Sequence, residues 1–212
     1  MSDLDLSFSA SDLPWPKPTS RLFGDDGDCE FIAWVPKSSK EWCIYAEGYR
    51  EAADRLLEQI GNGVGTKDFL VYPIVFLYRH FVELKLKEII QDSRNLLDIE
   101  ASLALEHRLD RLWKDARALL EEVEQHNPAA TNEVLDDAER LILEFHGIDA
   151  TSTVFRYPRD RDGKPHDLGS DYLSLDRFRE GIQDLAAFLD GASMQVSVYL
   201  DWKREQYSDY HG

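Results

Sequence analysis

Eight apolar residues recur at alternating steps of three and four near the C-terminal end of the chain. They are Leu175, Phe178, Ile182, Leu185, Leu189, Ala192, Val196 and Tyr199. Such steps place side chains on one face of an α-helix, so the pattern predicts one long helix with a continuous apolar seam. With Ser174 as its N-cap and an end near Tyr207, this helix would be about 50 Å long. A helix of that length needs partners along the whole seam, which favours a helical bundle.

Four shorter segments upstream show helical periodicity of the same kind. They run from about Trp42 to Ile60, Lys67 to Gln91, Ile99 to Gln125 and Thr131 to Gly147. The second is apolar on every side from Phe69 to Tyr78, which is typical of a helix in the middle of a bundle. Pro73 in this run predicts either a kink or a helix start close to that residue. We therefore expect a single all-α bundle of about five helices over residues 41–212.

The first 40 residues have a different composition and predict an irregular N-terminal arm. Proline recurs at Pro14, Pro16, Pro18 and Pro36, and it opposes regular helix. Two runs of β-branched and aromatic residues, Cys29–Val35 here and Thr151–Tyr157 downstream, are the best strand candidates. They leave open one short two-stranded pairing beside the helices.

The charge balance limits the partners that the protein can bind. Lys and Arg total 24 against 41 Asp and Glu, giving a formal net charge of −17. This average field repels nucleic acid and anionic lipid, so DNA is not an expected partner and RNA could bind only at a local basic patch. The N-terminus lacks a secretory signal, and the ten-residue apolar run is too short to span a membrane. These features, with only two cysteines, lead us to expect a cytoplasmic protein.

One short segment is basic in this acidic chain. Between Phe155 and His166, four basic residues, Arg156, Arg159, Arg161 and Lys164, face only two acidic ones. The segment can hold a phosphate group, or it can be a solvated connection between helices. Because Gly163 and Pro165 oppose a continuous helix, we expect a loop here.

The predicted second helix also carries charge within its apolar sequence. Arg79 and His80 lie four and three residues before Glu83, so one helix face can hold an ionic network in the core. Such a network either forms a polar pocket or fixes the register of the helices. His107 and Arg111, four residues apart at the start of the third helix, can serve acid–base and phosphate roles together, but the basic residues from Arg108 to Arg117 alternate with acidic ones as on a solvated face, which is the interpretation we favour. No metal-binding or nucleotide-binding motif is present, so we expect no metal and no cofactor.

The sequence resembles the bacterial HEPN-like helical proteins. The resemblance rests on the five predicted helices, on Tyr-Arg-His-Phe-Val-Glu-Leu-Lys-Leu-Lys from Tyr78, on His-Arg-Leu-Asp-Arg-Leu-Trp from His107, and on an arginine followed by a histidine after the fourth helix. It covers roughly Trp42 to Tyr207. Many members are metal-independent ribonucleases of toxin–antitoxin or anti-phage systems and commonly dimerise, whereas others have lost catalysis.

The resemblance implies roles for residues of the basic segment. Arg161 and Arg159 precede His166 with four and six intervening residues, which is the arginine–histidine spacing of the family. His166 would then transfer protons, Arg161 or Arg159 would stabilise the phosphoryl transition state, and Arg156 with Lys164 would bind the RNA backbone. The alternative is a non-enzymatic interaction protein whose long final helix mediates dimerisation or partner binding.

Overall fold

The computed structural model describes residues 15–24, 32–35, 42–101, 106–124 and 132–211. These residues contain five α-helices, and no described residue belongs to a β-sheet. The helices are α1 (Trp42–Gly61), α2 (Lys67–Leu96), α3 (Leu109–Glu124), α4 (Asn132–Ile148) and α5 (Leu175–His211). The all-α bundle with a long C-terminal helix that the periodicity predicts is therefore confirmed.

Three helix boundaries differ from the sequence prediction, one of them the end of α5, which lies at His211 rather than near Tyr207. α2 continues five residues past Gln91 to Leu96, and α3 begins at Leu109 rather than near Ile99. Just before this start, the carboxylate of Glu106 accepts hydrogen bonds from the backbone N–H groups of His107 and Arg108, both at 2.9 Å. This carboxylate satisfies free donors just ahead of α3, as a capping side chain does.

α2 is the central helix of the bundle. It packs against α1, α3 and α5, while α4 packs against α3 and α5. Seven consecutive residues, Phe81–Lys87, are buried, which requires neighbours on every side of the helix. The apolar run Phe69–Tyr78 is only partly covered, since Phe69 is 76% and Tyr72 50% exposed, and the continuously buried stretch lies after it. No helix in the described residues is both long and apolar enough to cross a membrane.

The apolar seam of α5 lies in the core of the bundle. Ile182, Leu185, Leu189 and Val196 are each at most 4% exposed. Ser174 caps this helix through its side-chain oxygen, which accepts a hydrogen bond from the N–H of Arg177 at 3.3 Å. Gly181 lies against α4, where an added Cβ would be 3.7 Å from the side chain of Leu141. The seam therefore supplies the core of this chain rather than an open surface.

The strand expected over Thr151–Tyr157 is wrong, because this segment forms turns. The backbone N–H groups of this segment donate hydrogen bonds to acceptors that are close in the sequence. The carboxylate of Asp149 accepts the N–H of Thr153 at 2.8 Å and that of Val154 at 3.3 Å, and the carbonyl of Thr153 accepts the N–H of Tyr157 at 3.0 Å. Such side-chain bonds compete with strand pairing.

The chain divides into two units, Met1–Ser38 and Ser39–Gly212. In the first unit the described residues are non-helical, with a turn in which Ser20 N–H donates to the carbonyl of Lys17 at 2.9 Å. Ile32–Val35 form no strand, and the rest of the candidate Cys29–Val35 lies outside the described residues. The second unit contains all five helices and the groups considered below.

We expect Leu185→Asp to unfold the protein rather than separate subunits. Leu185 is 2% exposed, and removing a buried leucine alone costs about 2–5 kcal/mol before a buried charge is added. Denaturant unfolding monitored by circular dichroism, together with light scattering, measures both effects. Met194→Asp on the same helix is the control, because Met194 is 71% exposed. A Leu185→Asp variant that stays folded while the wild type is a larger oligomer would contradict this prediction.

Candidate functional site

A buried row of charged residues runs along one face of α2. Arg79, Glu83 and Lys87 are spaced four residues apart and are at most 5% exposed. Glu83 takes the central position: its Oε2 lies 3.1 Å from Nη1 of Arg79, and its Oε1 lies 2.8 Å from Nζ of Lys87. Buried charges are tolerated only when they are paired in this way.

Arg79 connects three parts of the chain. Besides Glu83 on its own helix, its Nε donates to the backbone carbonyl of Asp149 at 3.0 Å, and its Nη2 donates to the carbonyl of His107 at 2.9 Å. The carboxylate of Asp149 also lies 3.8 Å from Nε of Arg79. One guanidinium thus fixes the residue after α4 and the segment that leads into α3.

The pKa values of this network follow from its burial and its pairing. Burial alone would raise the pKa of the Glu83 carboxyl, but hydrogen bonds from Lys87 and His107 outweigh it and hold that pKa below its ordinary value. Burial lowers the pKa of Arg79 against the opposing charges of Asp149 and Glu83. Arginine remains charged under these conditions. Glu83 is therefore an anion at neutral pH, surrounded by donors.

His107 brings the network to the surface. Its Nδ1 lies 2.8 Å from Oε1 of Glu83, while its side chain is 64% exposed. Since a carboxylate only accepts hydrogen bonds, Nδ1 carries the proton, and Nε2 of the neutral ring is an unprotonated base. Nε2 makes no hydrogen bond within the described part of the chain. A carboxylate that orients a histidine so that its other nitrogen is free is the arrangement used in acid–base catalysis.

His80 lies in an aromatic stack rather than in a hydrogen bond to Glu83. Its ring meets Tyr49 edge-on with the centroids 4.4 Å apart, and it is parallel to Phe76 at 6.0 Å. The guanidinium of Arg156 lies over the same Phe76 ring at 5.4 Å. Burial lowers the pKa of His80 despite the nearby Glu83 carboxylate, so His80 is neutral at pH 7. The aromatic stack thus joins α1, α2 and the basic segment.

The rest of the basic segment forms an exposed turn. An antiparallel bridge pairs Arg159 with Pro165, and Nη1 of Arg159 donates to the carbonyl of Gly163 at 2.8 Å. Arg161 and Lys164 are exposed, and no hydrogen bond or ion pair joins Arg161 to His166 among the described residues. His166 is half-buried, and its Nε2 is buried with no hydrogen-bond partner in the described residues. Only Arg156 of this segment contacts the aromatic stack.

The contact between Glu83 and His107 was not anticipated from the sequence. His107 and Arg111 have the spacing of a solvated face, and Arg111 does pair with Glu106 at 3.0 Å on the surface. The available signal was in α2, where Arg79 and Lys87 flank Glu83 at equal spacing. Two cations around one carboxylate, in a helix predicted to be central, indicate a polar centre that another segment must approach.

The arrangement can support proton transfer and anion binding. His107 supplies a base, Glu83 stabilises its protonated form, and Arg156 presents a guanidinium over the aromatic stack. No group of three or more His, Cys, Asp or Glu in the described residues is placed to hold a metal ion. The chemistry that His107, Glu83 and Arg156 offer is acid–base and electrostatic.

We expect Glu83→Gln to destabilise the protein by about 3–5 kcal/mol at pH 7, because Arg79 and Lys87 would remain buried without their anion. The folded-state pKa of Glu83 is below its unfolded value, so its contribution is complete above an unfolded pKa of about 4.5. It is lost as the pH falls through the folded-state pKa. The difference between wild type and variant should therefore shrink on acidification, as urea unfolding from pH 7 to pH 3 would measure.

Glu51→Gln is the matched control, since Glu51 pairs with Arg55 four residues later at 2.5 Å but both side chains are exposed. We expect its effect to be below about 1 kcal/mol. Equal effects of the two substitutions at pH 7, or a Glu83→Gln effect that does not change with pH, would contradict the role assigned to Glu83.

No protein-family model matches the chain, and no match to it is found among the curated proteins or the solved structures.

Proposed function

We propose that the protein is an HEPN-like, metal-independent ribonuclease whose proton-transfer residue is His107. The observation that carries this proposal is the 2.8 Å contact between Nδ1 of His107 and the buried carboxylate of Glu83. In an ordinary surface ion pair both partners are exposed, whereas here the histidine is exposed and its carboxylate partner is buried. The assignment to a ribonuclease rests on the resemblance of the α2 and α3 segments to the HEPN-like proteins. A toxin or defence setting rests on that resemblance alone.

The location of the cations supports an anionic substrate at this site. The chain carries a net charge of −17, yet Arg156, Arg159, Arg161 and Lys164 are exposed on one short segment. That segment is tied to the Glu83 network through Asp149, which contacts both Arg79 and the backbone of Thr153. A phosphodiester that binds this segment therefore meets basic residues in an otherwise repulsive field, and the proposal requires the same strand to reach His107.

The aromatic stack supports an unpaired nucleic acid strand as substrate. Phe76, His80 and Tyr49 are half-buried, so part of each ring is accessible, and Arg156 lies over Phe76. Aromatic and guanidinium faces are the surfaces on which unpaired bases stack, largely irrespective of base identity. RNA rather than DNA follows from the chemistry, since cleavage without a metal uses the 2′-hydroxyl of the substrate as nucleophile.

In the proposed reaction, Nε2 of His107 accepts the proton of the ribose 2′-hydroxyl. The 2′-oxygen forms a bond to phosphorus while the bond from phosphorus to the 5′-oxygen breaks. The 5′-oxygen takes a proton from solvent, and the products are a 2′,3′-cyclic phosphate and a 5′-hydroxyl. Glu83 stabilises the imidazolium, and Arg156 stabilises the charge that develops on the phosphoryl oxygens.

The basic turn offers a second position for the same chemistry. His166 would act there with Arg161 or Arg159, as the family spacing implies, and two copies of the chain would be one way to bring such groups together. In the described residues Arg159 is bonded to its own turn and Arg161 is not joined to His166. We therefore assign to Arg159, Arg161 and Lys164 the binding of the RNA backbone.

Cleavage of a fluorescent single-stranded RNA in EDTA tests the proposal. We expect cleavage by the wild type, with loss of at least about 100-fold in His107→Ala, as is typical when a general base is removed. His166→Ala and Arg161→Ala should retain cleavage and weaken RNA binding by a few-fold. Arg140→Ala on α4 removes an exposed arginine outside the basic segment and is the control for Arg161→Ala, because both substitutions change the net charge equally.

The results distinguish an error in the assignment of His107 from an error in the ribonuclease proposal. Loss of cleavage in His166→Ala with retention in His107→Ala would move the catalytic group to the basic turn and overturn the assignment of His107. Absence of cleavage by wild-type protein, with unmodified and structured RNAs and at several pH values, would overturn the ribonuclease proposal. Circular dichroism of each variant shows whether a loss of activity follows from a loss of fold.

A further inference from the structure

The outer face of α5 carries a second apolar row that is separate from the core seam. Its members, at steps of four, three, four and four residues, are Ala187, Gly191, Met194, Val198 and Trp202. All five are exposed; Met194 is 71%, Trp202 54% and Val198 36% exposed. Such spacing places them along one stripe of the helix. We call these five residues the outer row.

Neither backbone conformation nor packing in the described part of the chain explains why residue 191 is glycine. It lies inside a helix, its φ is not positive, and an added Cβ would meet nothing within 4 Å. Glycine in a helix interior is unfavourable relative to alanine by about 1 kcal/mol, and no contact in the described residues offsets this at position 191. Gly181, by contrast, faces the side chain of Leu141 on α4. An exposed helical glycine flanked by exposed methionine, valine and tryptophan is suited to the close approach of a second helix.

The charges around the outer row determine which kind of partner can bind there. From Glu180 to Trp202, α5 contains four acidic residues and no lysine or arginine. These four are Glu180, Asp184, Asp190 and Asp201. Asp190 is already paired with Arg50 at 2.5 Å, and Asp201 with Arg204 at 3.1 Å, whereas Glu180 and Asp184 are exposed without an ion pair in the described residues.

α2 places two acidic residues, Glu88 and Asp92, near α5, and Glu88 accepts a hydrogen bond from Ser193 at 2.7 Å. Burial and the neighbouring Glu88 raise the pKa of Asp92, while the charges of Arg204 and Lys85 lower it. The basic residue next to Trp202 is Lys203, which is occupied by Asp98 at 2.6 Å and by the carbonyl of Leu96 at 2.7 Å. The field beside the outer row is therefore negative, and it disfavours both anionic lipid and an antiparallel second copy with the same acidic flanks.

We propose that the outer row of α5 is a docking surface for a basic amphipathic helix of another protein. The apolar face of that helix would cover Met194, Val198 and Trp202, with its backbone closest at Gly191. Its flanking lysines and arginines would meet Glu180, Asp184 and Asp201. This recognition mode combines an apolar stripe with complementary charge, and it holds whether or not the protein cleaves RNA.

A synthetic peptide tests the proposal with the full-length protein. The probe is a helical 20-residue peptide of leucine and lysine, with leucines at positions i, i+3, i+4 and i+7, carrying a fluorescent label. A peptide of the same composition in scrambled order, which lacks an apolar face, is the control probe. We expect the amphipathic peptide to bind at least 10-fold more tightly than the scrambled one by fluorescence anisotropy, and to weaken as salt is raised.

Matched variants locate the binding. Val198→Lys places a cation in the outer row, and Val134→Lys changes the net charge equally on α4, where Val134 is 44% exposed. We expect Val198→Lys to weaken peptide binding at least 10-fold and Val134→Lys to weaken it less than 2-fold. Both positions are exposed, so circular dichroism should show an unchanged fold.

Three results would overturn the proposal. Equal weakening by the two lysine variants would mean that the peptide senses only net charge. Equal binding of the scrambled peptide would mean that the protein does not recognise the apolar face of the helix. A wild-type dimer that Val198→Lys converts to monomer would mean that a second copy of this chain occupies the outer row.

Discussion

The requirement that governs this structure is the pairing of charges on a helix that is buried on every side. Over Phe81–Lys87, α2 has protein against all of its faces, yet Glu83, Lys85 and Lys87 lie in this stretch and the buried Arg79 lies just before it. An unpaired charge in such a position is strongly unfavourable, so each of the four needs an anion or a cation at a fixed distance. Much of the arrangement of the neighbouring segments follows from where these partners lie.

The partners lie on two sides of α2. On one side, Arg79, Glu83 and Lys87 hold His107 before α3 and Asp149 after α4. On the other side, Lys85 lies 3.6 Å from Asp190 of α5 and 3.1 Å from Glu88. Buried ion pairs contribute little net stability, but they penalise every arrangement in which they are broken. The apolar seams hold the helices together, and the ion pairs select which residues face each other.

The sequence predicted the helices well because helical periodicity is a local property. The seam from Leu175 to Tyr199 and the continuous apolar run of α2 each indicate apolar surface that other helices must cover. A helical bundle is the arrangement that covers it. The contact of Glu83 with His107 is not local: it joins residues 24 positions apart, and it occurs where α3 begins only after His107. The strand expected at Thr151–Tyr157 failed for a related reason, since composition favoured a strand but one carboxylate, Asp149, took its backbone donors.

Asp149 has a consequence for how the protein would respond to a ligand. Its carbonyl holds Arg79 in the core, while its carboxylate orders the turn that precedes Arg156. Order in that turn and integrity of the core are thus coupled through one residue. A ligand that binds only the ordered turn stabilises the native state by RT ln(1 + [L]/Kd), so occupancy at the surface is transmitted to the melting temperature of the whole bundle. Thermal stability is therefore a direct reporter of ligand binding to this surface, independent of any chemical reaction that follows.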